Sequence, residues 1–419
     1  MAARNRPFRT GSRQGTQKGI VIRSDTAPRI PFTLLLVLAG LSAFAPLSID
    51  MYLPALPAMT HDLDAGAAQG SLTVAAFFAG LCLGQLVHGP LSDRIGRRLP
   101  LLGGLALYIA AAVCAALARS IELLIVARFV QALGGCAGMV VSRASVRDRF
   151  SPQESAHVFS LLLLVMSLAP IIAPLLGSWV MLIASWRAIF WILAALGVLV
   201  GVATLVGLPE TRSPETAAHA RAESPFAAYR SLLGERRVMG YALVAGLSHM
   251  GLLTYLAVSP SVLVNGFRIS PQAYGWVVAI NGIGLVTTNY LNRRLLARLS
   301  YDYILRRANL GCVMAAAALL ACAAGGFGGL WGVTVPLFFM VAMMGFTQAN
   351  ALAGAMAHDP QRAGATSALV GFLQFGGGAL GATTAGWFDD GTALPMAVVI
   401  LAAYTGAALV LHGFCARRP

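Results

Sequence analysis

Pro46-Leu47-Ser48-Ile49-Asp50-Met51-Tyr52-Leu53-Pro54-Ala55-Leu56-Pro57 closes an apolar run that begins near Pro31. About 20 apolar residues in a helix suffice to cross a bilayer, so the run reads as a membrane span. Asp50 sits inside it. A charge in hydrocarbon costs at least ~2.5–3.5 kcal/mol on insertion scales, so an ionisable residue at such depth lines a cavity or binds something by default. The chain holds 16 Asp and Glu. Apart from Asp50 they fall in expected loops, the tail or span ends, and only Asp93, at a helix end, comes close. The plainer reading of Asp50 is a hydrogen bond between helices that serves structure alone.

Composition sets the class. The 419 residues are 58% hydrophobic and 11% charged, with mean hydropathy +0.74. A soluble domain has about 25% charged residues, so this is a polytopic membrane protein. The net charge of +14 is not that of a nucleic-acid binder, because of where it lies. Of the 30 basic residues, 26 fall in the tails and in alternate loops on one side. Arg119, Arg187 and Arg268 fall on the other side, and Arg128 lies within a span. That is the positive-inside pattern, which puts both termini in the cytoplasm. Cys82, Cys114, Cys136, Cys312, Cys322 and Cys415 lie in or beside apolar spans without metal-ligand spacing, so neither a metal site nor a disulfide framework is expected. Residues 1–30 read as a disordered basic tail rather than a signal peptide, since the apolar run after them is too long and carries Asp50.

Hydropathy predicts twelve spans, near 31–57, 68–91, 99–118, 121–143, 156–182 and 186–208, then 238–265, 272–293, 303–325, 328–353, 364–388 and 392–414. The expected architecture is all-α, with one six-helix bundle over 31–208 and another over 238–419. The polar stretch 209–237, with Pro214 and Pro225, reads as a cytoplasmic linker between them.

Three stretches of the first half carry chemistry. The loop after the second span reads Gly89-Pro90-Leu91-Ser92-Asp93-Arg94-Ile95-Gly96-Arg97-Arg98. Its glycines permit close backbone approach, Asp93 suits a helix N-terminus, and its arginines anchor the cytoplasmic face. The loop after the eighth span keeps Arg293, Arg294 and Arg298 but has lost the glycines and the aspartate, as a degraded repeat would. The fourth span carries Arg128-Phe129-Val130-Gln131-Ala132-Leu133-Gly134-Gly135. Arg128 and Asp50 are each seven residues from the periplasmic end of their spans, about 10 Å at 1.5 Å per residue. Sharing a depth, they could pair or share water across a cavity, or form a purely architectural ion pair. The fifth span carries Pro170, Pro174 and Gly177, which should bend it and let a neighbour approach.

The second half carries neutral polar groups within its spans. They are His249 and Ser259 in the seventh span, Asn281 and Asn289 in the eighth, Gln348 and Asn350 in the tenth, and Gln374 in the eleventh. Amides of this kind bridge membrane helices at roughly 0.6 kcal/mol each. His249 reads first as a packed core histidine and second as a proton carrier.

These residues together resemble a family, the drug:proton antiporters of the major facilitator superfamily, and within it the Bcr/CflA (bicyclomycin/chloramphenicol resistance) group. Asp50 to Pro57 is similar to that group's opening signature, Gly89 to Arg98 to the superfamily's loop motif, Arg128 with Gly134 to its fourth-helix motif, and Pro170, Pro174 and Gly177 to the antiporter motif. Trp186-Arg187-Ala188-Ile189-Phe190 and Ala363 to Ala368 add agreement. The resemblance implies twelve helices in two bundles around a central cavity, and alternating access with proton entry driving drug exit from the inner membrane. It implies that Asp50 is the coupling carboxylate and Arg128 its basic counterpart. Tyr52, Gln131, His249 and Asn350 are candidates for the cavity. Asp93 and Arg94 would help latch the cytoplasmic side in the outward-facing state, within a conformational motif that also includes Gly89, Gly96, Arg97 and Arg98. The expected partners are a small-molecule substrate and the lipid bilayer, with no nucleic acid, no cofactor beyond the proton as coupling ion, and a monomer as the working unit. Export of a natural metabolite such as an amino acid or nucleoside is the alternative, and an enzyme is not expected, because no nucleophile–base pair or metal cluster falls at cavity depth.

Overall fold

A single physical constraint shapes the start of the fold. Pro54 has no N–H to give the carbonyl of Asp50, and its ring collides with that carbonyl, so the first helix must stop there. In the computed structural model, which describes residues 32–150, 152–212, 225–357 and 363–414, α1 runs Phe32–Asp50. A 3-10 turn Leu53–Ala55 and the short α2 Leu56–Asp62 follow it. The first span, Thr33–Asp62, is thus present as expected, with its helix interrupted after Asp50. The expected basic tail, Pro214 and Cys415 lie outside the described residues.

The remaining long helices are α3 Ala67–Ile95, α4 Arg98–Ala116, α5 Ile121–Arg149, α6 Pro152–Ile183 and α7 Trp186–Gly207. In the second half they are α9 Arg236–Pro260, α10 Pro271–Leu295, α11 Tyr301–Gly325, α12 Gly329–Ala357, α13 Ala363–Trp387 and α14 Leu394–Gly413. Serine side chains start three of them: Ser120, Ser270 and Ser300 accept from the backbone N–H three residues on, satisfying a donor that the helix leaves free. Among the described helices, ten are long and apolar enough to cross a membrane. The two long helices outside that set are α10, with Asn281, Asn289 and Asn292, and α13, with Gln374 and seven glycines. Within the stretch read as linker, α8 (Pro225–Gly234) is helical, and Leu232 packs with Val238 and Leu369 beneath the second half.

The packing repeats. In the first half α5 packs on α1, α3 and α4, α7 packs on α1 and α4, and α6 packs on α1. In the second, α12 packs on α9, α10 and α11, α14 packs on α9 and α11, and α13 packs on α9. Shifting by six long helices turns one set into the other. It also exchanges the two main contacts between halves, α3 with α13 and α6 with α10. Two six-helix bundles thus face one another across a pseudo-twofold axis, as the internal repeats of transporters do. Ile183 and Val206, 88% and 87% exposed, belong to the outer surface that lipid covers.

The bundles meet chiefly in the half away from the arginine-rich loop, here called the far end, as opposed to the basic end. Gln272 Nε2 donates to the Ser178 carbonyl at 3.2 Å, and Ser71 Oγ to the Ala257 carbonyl at 3.4 Å. Pro170 and Pro174 lie inside α6. Pro174 cannot donate to the carbonyl of Pro170, and that freed oxygen packs against α10, where a Cβ on Gly282 would lie 3.2 Å from it. Gly177 has a different neighbour: any side chain there would overlap the Met51 carbonyl oxygen in the break after α1.

Candidate functional site

The break after Asp50 turns the chain so that neighbouring residues look into different bundles. Tyr52 is fully buried among the first six helices, its hydroxyl paired with Thr73 and 3.2 Å from Met59 Sδ. Arg128, on α5, is also 0% exposed. Its Nη1 donates to Gln131 Oε1 at 2.7 Å and its Nη2 to the Ser48 carbonyl at 2.9 Å. The guanidinium carbon lies 4.1 Å from the Phe77 ring centre, 4.6 Å from Tyr52 and 5.7 Å from Phe190. An aromatic box of this kind stabilises a desolvated cation by about 2 kcal/mol per good contact. Arg128 Nε has no partner among the described residues.

Asp50 is 5% exposed and shares the depth of Arg128, since Ser48 is one of that arginine's acceptors. The two do not pair. The guanidinium gives its hydrogen bonds to Gln131 and a backbone oxygen, and Asp50 has neither ion pair nor hydrogen bond among the described residues. Its carboxylate instead lies within electrostatic reach of two tyrosines of the opposite bundle, Tyr255 and Tyr274. Those hydroxyls are already engaged, Tyr255 accepting from Asn281 Nδ2 at 2.8 Å and Tyr274 bonded to Ser259 Oγ at 3.0 Å.

The second half gathers a separate polar cluster. Gln374 Nε2 on α13 donates to Gln348 Oε1 on α12 at 2.5 Å, and the Gln348 amide contacts His249 Nδ1 on α9, with Phe375 edge-on to the imidazole at 5.7 Å. These three side chains are only half-buried. Asn350 is not with them. It is fully buried, donating to Asn292 Oδ1 and to the Phe346 carbonyl, both at 2.8 Å. Of the four cavity candidates, His249 is thus half-buried in a cluster of amides, while Tyr52, Gln131 and Asn350 are enclosed within single bundles.

The basic loop is knitted by carboxylates from elsewhere. Arg97 pairs with Asp93 one turn earlier and, through Nε at 2.8 Å, with Asp148 at the end of α5; its Nη1 also donates to Ser92 Oγ at 2.8 Å. The group at a helix N-terminus is not Asp93 but Glu210, just past α7, which accepts from the backbone N–H of Arg97 at 2.9 Å and of Arg98 at 3.2 Å where α4 begins. Partial burial pulls the Glu210 carboxyl upward, but backbone donors from Arg97, Arg212, Arg98 and Thr211 outweigh it and hold the carboxyl below its ordinary value. Gly96 makes this approach possible, with φ +103° and the Glu210 Oε2 atom 2.7 Å from where its Cβ would stand. Arg94 offers its carbonyl to Arg212 Nη1 at 2.6 Å, and Arg98 Nη2 donates to the Leu205 carbonyl at 2.6 Å. A Cβ at Gly89 would meet nothing within 4 Å. Glu210 and Asp148 were not singled out in the sequence. For Glu210 the available signal was a carboxylate directly after an apolar span, in Leu208-Pro209-Glu210-Thr211-Arg212.

The sequence matches the Major Facilitator Superfamily over residues 38–382. An uncharacterized MFS-type transporter of Bacillus subtilis, YdgK, is 33% identical over 387 residues, covering 92% of this chain and 96% of its own. A bicyclomycin resistance protein homolog of Haemophilus influenzae is 29% identical over 87% of this chain and 92% of its own. The multidrug resistance protein MdtL of Escherichia coli is 33% identical over 58% of this chain and 62% of its own. Among solved structures, the xylose transporter XylE of E. coli in a partially occluded inward-open conformation superposes with TM-score 0.73 at 15% identity, covering 92% of this chain and 98% of that one. A bacterial homolog of the lysosomal transporter Spinster, inward-facing and unoccupied, gives 0.72 at 16% identity, covering 92% and 98%.

Proposed function

Because the chain belongs to the major facilitator superfamily, and is therefore a membrane transporter rather than an enzyme, we propose that it exports drug-like small molecules from the bacterial cytoplasm in exchange for protons. The names of the Haemophilus and Escherichia relatives support the substrate class. The crowding of arginines at one end supports an inner-membrane orientation with both termini cytoplasmic. The protein works as a monomer, with the proton as its coupling ion and no resident cofactor.

One observation carries the proton coupling. Asp50 is a buried carboxylate between the bundles with no cation paired to it among the described residues, at the end where the bundles touch. A charged carboxylate there is costly and a protonated one is not, so protonation favours the state closed at the far end. Opening that end hydrates Asp50 and lets it take a proton from outside. Closing it carries the proton inward, where arrival of substrate through the basic-end gap coincides with proton release. Arg128, boxed by aromatics and bonded to the backbone of α1 two residues from Asp50, fixes that stretch and holds a positive potential beside it.

The test has two arms. Expression in an efflux-deficient bacterium, followed by a broad toxicity and metabolite-export screen, should raise resistance to several drug-like compounds; export confined to one amino acid or nucleoside would replace the drug reading. Purified protein in liposomes should then move such a compound when a pH gradient is imposed. Transport indifferent to the gradient would remove the proton.

A further inference from the structure

α5 holds its basic residues in contrasting settings. Arg128, near the far end, is enclosed and hydrogen-bonded. Hydropathy ends this span at 143, but the helix continues to Arg149, so Arg143 lies within it, six residues from its end. Arg143 is half-buried and Arg147, one turn on, is exposed; among the described residues neither has an ion pair or a hydrogen bond. Arg147 has carboxylates in electrostatic reach, Asp148 and Asp93. Among the described residues Arg143 has none, only Cys136 and Arg147. It is, among those described residues, a cation inside a membrane bundle with no anion beside it.

Helical spacing says where Arg143 looks. Cys136 lies two turns earlier on the same face. A Cβ on Gly84 of α3 would lie 2.5 Å from the Cys136 Cβ, and Cys82 of α3 donates to the Phe372 carbonyl of α13 at 3.3 Å. That face of α5 packs against α3, whose opposite side, through Cys82, forms the seam with α13. The seam is closed at Cys82 and at Gln85, which touches Gly371, and it opens further on. A Cβ on Gly89 would meet nothing within 4 Å, and one on Gly364, in the first turn of α13, would meet only Arg147 Nη1, at 3.7 Å. Arg147 and the positive end of a helix thus meet at an opening between the bundles, with Arg143 one turn back on α5 and within electrostatic reach of Arg147.

We infer that Arg143, supported by Arg147 and the first turn of α13, is an anion site at the basic-end mouth of the gap, and that it takes the carboxylate or sulfonate of a transported molecule. A guanidinium without a protein partner keeps its fork of donors for a ligand with planar anionic oxygens. With Arg143 uncompensated among the described residues, the mouth of the gap favours organic anions and neutral molecules over cations. This assignment rests on the transport reading only for the nature of the ligand, and an equilibrium binding test needs neither proton coupling nor turnover.

The test uses full-length protein in phosphatidylcholine nanodiscs and equilibrium dialysis of three probes of one size: 2-naphthoate, 2-naphthamide and 2-naphthylmethylammonium. Naphthoate should bind about tenfold more tightly than naphthamide, the gain of one charge-assisted hydrogen-bonded contact, and the ammonium should bind weakest. Arg143→Gln should erase the preference while leaving naphthamide affinity in place, and Arg143→Lys should keep most of it. A wild-type protein without the preference, or a preference that survives Arg143→Gln, overturns the site. If Arg143→Gln binds no probe, folded Arg143→Lys decides, and loss of discrimination there overturns it as well. Phosphatidylglycerol that stays with the wild type through purification but not with Arg143→Gln would give the site to a lipid headgroup and overturn the transported anion.

Discussion

The two halves pack their helices in the same pairs yet spend their buried polarity differently. The first half holds ions: Asp50 and Arg128, both buried, and the half-buried Arg143. The second half holds neutral groups in pairs and chains: buried Asn281 with Tyr255 and Asn350 with Asn292, and half-buried His249 with Gln348 and Gln374. The energetic stakes differ by several fold. An ion at membrane depth costs ~2.5–3.5 kcal/mol or more, and a helix-bridging amide contributes about 0.6 kcal/mol. A duplicated scaffold can thus hold its energy-coupling charge in one copy and adaptable hydrogen bonding in the other. The same asymmetry reaches the basic-end loops. The loop between α3 and α4 is tied by Asp93, Asp148 and Glu210, whereas its counterpart after α10 has Arg294 bonded to Tyr290.

The sharpest way to break this comparison is to make the halves alike. Asp50→Asn removes the ion and keeps the shape, and it should abolish transport driven by a pH gradient while leaving a monodisperse, membrane-inserted protein. The second-half control, Asn281→Ala, frees Tyr255 from one hydrogen bond and should slow transport only a few-fold. Full gradient-driven transport by Asp50→Asn, measured in proteoliposomes, would mean the coupling charge lies elsewhere. The amide-linked His249 would then be the residue to change next.

Arg128 tests whether the first half needs a charge or a particular shape. Lysine keeps the charge and one donor toward Ser48 but cannot stack flat between Phe77 and Tyr52. Arg128→Ala should therefore lower stability by about 2 kcal/mol, the scale of one desolvated cation–π contact, and cost more transport than Arg128→Lys. Thermal unfolding in detergent and transport on the same preparations check both. Because Asp50 and Arg128 do not touch, their losses in stability should be close to additive in a double-mutant cycle. A large coupling in stability would mean that the two pair in a state other than this one.

Glu210 probes the loop asymmetry, for nothing like it exists at the matching place: the chain has no acidic residue after Asp390. Its carboxyl is held below the ordinary value of 4.5 in the folded protein. A depressed carboxyl contributes stability above its unfolded value and loses it as pH falls through the folded one. Glu210→Gln should therefore melt below wild type at neutral pH, and the gap should close progressively as pH drops below about 4.5, the ordinary glutamate value. A gap that persists unchanged into acid would assign the effect to lost packing rather than to charge.

How much of this was legible beforehand depends on the range of each interaction. Twelve spans, the prolines inside the fifth span and the isolation of Asp50 follow from local patterns, since hydropathy and proline act within a few residues. Even the end of α1 at Asp50 was present in Pro54, although the apolar run continued past it. Contacts that close over long separations were not legible. Arg97 to Asp148 and Arg97 to Glu210 join residues 51 and 113 apart, and nothing local marks them. Arg143 was hidden for another reason. Hydropathy senses hydrocarbon, not helix, so a span seemed to end where its helix merely turned polar.

The smallest effect is the most direct measure of the second half. Asn350 donates to Asn292 across α12 and α10, and its own Oδ1 has no partner among the described residues. A double-mutant cycle on Asn350→Leu and Asn292→Leu isolates the pair from the separate costs of each substitution. The expected coupling is about 0.6 kcal/mol, because a chain unfolded within the membrane also finds partners for its amides. Leucine in both positions should restore part of what either loses alone, since removing both partners leaves no orphaned amide. Transport by the double variant should stay close to wild type if the pair is scaffold. A coupling above about 2 kcal/mol, the upper range for such bonds, or transport lost while stability is kept, would place Asn350 among the groups that rearrange during the cycle. Either result would end the division of labour between an ionic first half and a neutral second one.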